Sequence, residues 1–139
     1  MTSSDDRILL KSAVTHGAQA PVDAIERLGD ERTYALMVTA TSLAISRKFT
    51  RDASLDEISA YAKGLPERFP GGAGEIKPAH AEAVIRALRG EVELLEPLSH
   101  DEILGMLFLI TYAIMSHERL QGPSLDAYID QVIATADAG

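Results

Sequence analysis

The second half of this chain repeats the first at a constant offset of seventy residues, without a gap. Setting residues 71–139 beneath 1–69 gives ten identities: Ala13/Ala83, Val14/Val84, Val22/Val92, Glu26/Glu96, Leu28/Leu98, Thr41/Thr111, Ser46/Ser116, Ser54/Ser124, Leu55/Leu125 and Asp56/Asp126. Other pairs keep their character, among them Ile25/Leu95, Glu31/Asp101, Leu36/Met106, Met37/Leu107, Val38/Phe108 and Ile45/Met115. Chance alone gives about four or five identities over such a span. The excess is clustered, with Ser-Leu-Asp recurring as a triplet after a long apolar stretch and a polar turn. A period of this length points to two copies of one helical unit.

Strand signals are nearly absent: there is little β-branched alternation and no Asn-Gly or Asp-Gly dipeptide. Helix signals come in matched pairs, three to a copy. Helix A covers about 5–16 and 78–90, started by Ser4-Asp5-Asp6 and Pro78 and closed by Gly17 and Gly90. A linking segment follows at 21–29 and 91–98, short and helical after Pro21 but cut short by Pro97. Helix B spans about 30–48 and 100–118. Its second copy opens on Ser99-His100-Asp101-Glu102, a capping box, and is then apolar on every face, as befits the middle of a bundle. Helix C runs over about 55–64 and 125–137, each copy started by Ser-Leu-Asp. Phe69-Pro70-Gly71-Gly72-Ala73-Gly74 cannot hold a regular element and reads as the seam. The expected fold is all-α: a single domain, 1–139, forming a six-helix bundle. Repeat 1 (1–69), a Gly-rich linker (70–76) and repeat 2 (77–139) are related by a pseudo-two-fold axis near the B helices.

Composition narrows function mostly by exclusion. A chain of 139 residues that is 46% apolar can bury a core without staples. Cysteine is absent, which removes disulfides, thiolate chemistry and Cys-based metal sites and fits a cytoplasmic location. Met1 to Asp6 carries no secretory signal. The longest apolar run, Ile103 to Met115, is thirteen residues, against about twenty for a membrane span. Net charge is −8, split as −1 over residues 1–70 (nine Lys/Arg, ten Asp/Glu) and −7 over 71–139 (four against eleven). So acidic a second copy opposes phosphate contacts and makes nucleic acid a poor partner.

No constellation points to catalysis. His117-Glu118 would need a histidine at 121 for a zinc motif and finds Gln121. His80 and Glu82 are two apart, off a common helix face, and His100 lies in a capping turn. No nucleophile elbow or phosphate loop is present. The expectation is therefore no catalytic residue, no metal and no cofactor. Tyr34 to Gly64, a long helix, the turn Lys48-Phe49-Thr50-Arg51-Asp52 and a short helix, resembles the first two helices of the tetracycline-repressor type of DNA-binding domain. The third helix has no room, because Leu65-Pro66-Glu67-Arg68-Phe69-Pro70 occupies its place.

These readings order three functions. The first is a non-enzymatic interaction module that binds a protein partner or forms a homodimer, its acidic face meeting a basic partner. The alternative is a small-molecule-binding protein or enzyme with an enclosed pocket between the copies, at Thr41, Thr111, Tyr112 and His117. The third is a DNA-linked regulator using the basic patch Arg47, Lys48 and Arg51.

Overall fold

The structure is a computed structural model that describes residues 4–15, 22–68 and 77–138. Among these residues it is all-helical, with seven α-helices: α1 (Ser4–Thr15), α2 (Val22–Leu28), α3 (Asp30–Lys48), α4 (Leu55–Arg68), α5 (Pro78–Leu88), α6 (His100–Met115) and α7 (Pro123–Ala138). Short 3-10 turns occupy Val92–Leu95 and Ser116–Glu118. The six expected helices become seven because the linking segment of the first half forms the regular helix α2. In the second half Pro97 follows closely and only a 3-10 turn forms. Gly17 and the expected linker at 70–76 lie outside the described residues.

Helices α3 and α6 share the most extensive interface and form the centre. Buried residues of α3 (Leu36, Met37, Ala40, Ala44, Ile45) and α6 (Ile103 through Ile110, apart from Leu104 and Gly105, then Ala113 to Met115) build the core. Around this pair, α1 packs on α2, α3, α6 and α7, while α4 packs on α5 and α7 on α3. Each half therefore hands its last helix to the first helix of the other half.

Helix ends follow local chemistry. Ser99 Oγ accepts from the Glu102 amide at 3.1 Å while Glu102 Oε1 accepts from the Ser99 amide at 2.9 Å, completing the capping box. The Ser99 amide holds the Glu102 carboxyl below the ordinary carboxylate range. Ser54 Oγ likewise accepts from the Glu57 amide at 3.1 Å. Ser124 departs from its counterpart. Helix α7 begins at Pro123, and Ser124 Oγ instead donates to the Gln121 carbonyl at 2.9 Å. Proline at the first helical position suits a fixed φ and lacks an N–H that would go unpaired there.

Two further boundaries differ from expectation. Helix α4 runs through Pro66 to Arg68 instead of ending at 64. Leu65, fully buried, anchors this last turn, and burying a leucine contributes about 1.5–3 kcal/mol against the hydrogen bond that proline forfeits. Helix α6 stops at Met115 and tightens into the 3-10 turn, which Arg119 ends in the left-handed region at φ 50°.

Gly64 and Gly105 sit inside helices, and a Cβ at either would meet nothing within 4 Å. Their counterparts seventy residues away are Ala134 and Ala35. Gly64→Ala and Gly105→Ala should each stabilise the fold by about 0.5–1 kcal/mol, raising the melting temperature by about 2–4 °C. Thermal unfolding followed by circular dichroism measures this, and a lowered midpoint would contradict the open space assigned to both positions.

Candidate functional site

Of the four residues expected to line an enclosed pocket, the fold brings Thr41 and Thr111 into contact. Thr41 and Thr111 meet at the centre of the α3–α6 interface, both fully buried, with their hydroxyls 2.8 Å apart. Thr41 Oγ1 also lies 2.7 Å from the Met37 carbonyl and 3.2 Å from the Leu107 carbonyl. Each hydroxyl has one proton, so one donates to the other while the second donates to a carbonyl. Tyr112 is only partly buried and His117 is exposed. The two threonines thus fill the space between the helices with each other.

A third buried threonine behaves oppositely. Thr33 Oγ1 is fully buried, with no hydrogen-bond partner among the described residues. Unfolding experiments distinguish the two environments. Thr41→Val and Thr111→Val should each destabilise by about 1 kcal/mol, the double variant costing less than the sum because the shared bond is lost only once. Thr33→Val, which removes an unpaired hydroxyl at constant shape, should be neutral or stabilising by up to about 1 kcal/mol. Strict additivity of the first two would dismiss the hydroxyl pair.

The basic patch is divided in the same way. Arg47 pairs with Glu118 and lies over the Tyr128 ring, 5.6 Å from its centroid. Lys48 Nζ sits 5.2 Å from the centroid of Tyr61, which packs edge-on against Phe49. These contacts tie the end of α3 to α7 and α4. Tyr128, buried, donates its hydroxyl to the Ala40 carbonyl at 2.7 Å, and burial pushes its phenol well above its usual range. Arg51 is exposed in the turn after α3.

Much of the acidic excess of the second half is answered by the first half. Arg7 on α1 pairs with Asp126 (3.2 Å) and Asp130 (2.6 Å) on α7. Arg32 on α3 reaches Asp137 on α7 at 2.8 Å and holds the buried Asp6 of α1 through Nε and Nη2, at 3.3 and 2.8 Å. With Arg47–Glu118, every such pair between halves joins a first-half arginine to a second-half carboxylate among the described residues. The expected acidic face for a basic partner is thus partly engaged within the chain. The signal missed in the sequence was complementarity between the halves, which net charge alone conceals.

Among the described residues, two open hollows are lined by residues other than Thr41, Thr111, Tyr112 and His117. One, of about 400 Å3, is lined by Ser46, Phe49, Thr50 and Arg51 from the end of α3 together with Leu88 and Arg89 from the end of α5. The other, of about 350 Å3, is lined by Ile8 of α1 and Val22, Asp23, Ala24 and Arg27 of α2. His80 Nδ1 lies 3.5 Å from Glu102, and the His100 ring stacks on Tyr34 with centroids 5.3 Å apart. Among the described residues, no three His, Asp or Glu side chains gather as a metal site. No described helix is long and apolar enough to cross a membrane. No protein-family model, curated protein or solved structure matches this chain.

Proposed function

We propose that the chain is a non-enzymatic interaction module of the cytoplasm, built from two tandem copies of one helical unit, that binds a protein partner or a second copy of itself. The hydrogen bond between Thr41 and Thr111 supports the duplication, because a residue can meet its own counterpart only near a two-fold axis. Matched starts at Asp30 and His100 for the central helices point the same way.

The observation that carries the binding role is the contrast between interior and surface. Inside, the Thr41, Thr111 and Tyr128 hydroxyls and the Asp6 carboxylate bond to the protein's own groups. Outside, Ile8 and Val22 line one hollow while 46% and 61% exposed. Apolar side chains grouped this way gain free energy when a partner removes them from water.

Light scattering across a concentration series, combined with capture of partners from lysate by the tagged chain, tests this reading. Association or capture should weaken about tenfold on Val22→Asp, since burying one such side chain contributes about 1.5 kcal/mol or more. The melting temperature should stay unchanged because Val22 is exposed. A monomer at every concentration that captures nothing would overturn the proposal.

A further inference from the structure

The hollow between the ends of α3 and α5 combines features that the interaction role does not use. Its rim carries two arginines, one from each half of an acidic chain. Arg89 is positioned: its Nη2 donates to the Thr50 carbonyl at 3.2 Å and to the Arg51 carbonyl at 3.4 Å. This covers carbonyls at a helix end, where the backbone would otherwise repel an anion. It also leaves the Nε and Nη1 donors of Arg89 uncommitted among the described residues. The Arg51 guanidinium makes no ion pair among them, unlike those of Arg7, Arg27, Arg32, Arg47 and Arg86. The Thr50 hydroxyl adds a donor, and Phe49 and Leu88 supply apolar wall.

We propose that this hollow binds the phosphate group of a small molecule, held by Arg51 and Arg89. Guanidinium donors match phosphate oxygens in number and geometry, and a dianion gains from two of them. A volume of about 400 Å3 suits a small ligand. The surrounding charge of −8 selects against a polyanion, which would bring many phosphates against carboxylates.

Titration of the full chain with inorganic phosphate at constant ionic strength, followed by amide NMR shifts, tests the assignment. Saturable shifts should be confined to residues around 46–51 and 88–89. Arg51→Gln, an exposed change that leaves the Arg89 contacts to the backbone in place, should weaken phosphate about fivefold. Lys11→Gln on α1, outside the hollow, should leave it unchanged. Shifts spread over all cationic residues, or equal affinity in Arg51→Gln, would overturn the site. A short DNA duplex that binds more tightly than phosphate through the same residues would overturn the assignment to a small ligand.

Discussion

The contact between the Thr41 and Thr111 hydroxyls sets the spacing of the whole bundle. Two helices bring side-chain oxygens to 2.8 Å only where the surrounding residues permit close approach, and the small buried Ala44 stands one turn from Thr41 on α3. The remaining helices take their positions from this pair. The Tyr128 hydroxyl reaches the Ala40 carbonyl next to Thr41, which seats α7 against α3. The hydroxyl and the aromatic body act together here: one end satisfies a polar group and the rest fills the core. A larger residue at either threonine would separate the central helices and displace the elements resting on them.

Charge then decides how the periphery closes over that core. The arginines of α1 and α3 meet the aspartates of α7, while Arg47 and Lys48 grip the tyrosines of α7 and α4. Exposed pairs of this kind contribute little one by one, about 0–1 kcal/mol each. Arg32 differs because Asp6 is almost wholly buried, and loss of the arginine would leave a carboxylate without its counter-ion. The consequence for function is direct. Of the basic residues that read as a contact patch, Arg47 and Lys48 contact neighbouring helices, and Arg51 makes no ion pair among the described residues.

The helices were legible in the sequence wherever a local signal fixes a boundary. Ser99 and Glu102 close their box within four residues, and Pro97 shortens the turn before them. Both ends of α3 fall where the pattern places them. One boundary failed where a tertiary contact overrides local preference, buried Leu65 carrying α4 past Pro66, and another where a competing local signal, Pro123 at the first helical position, starts α7 ahead of its Ser-Leu-Asp triplet. The candidate site was less legible for the same reason. Periodicity brings Thr41 and Thr111 to a common interface, but it does not show that they satisfy each other. Nor does it show that Arg89, far from the basic cluster in sequence, shares a hollow with Arg51.

On the proposed duplication, the pattern of identity and divergence follows from this geometry. Near a two-fold axis each residue faces its own counterpart or its counterpart's neighbour. A threonine survives that juxtaposition unchanged, because a hydroxyl is both donor and acceptor and pairs with another hydroxyl. A cation does not. Arg47 now pairs with Glu118, which is the counterpart of Lys48. Had the second copy kept a lysine there, two positive charges would stand at ion-pair distance, costing about 1 kcal/mol in water and about 4 kcal/mol near a protein surface. Charge at this contact therefore has to diverge while the central threonine can remain. That requirement accounts for the change of sign at Glu118 without invoking a basic partner.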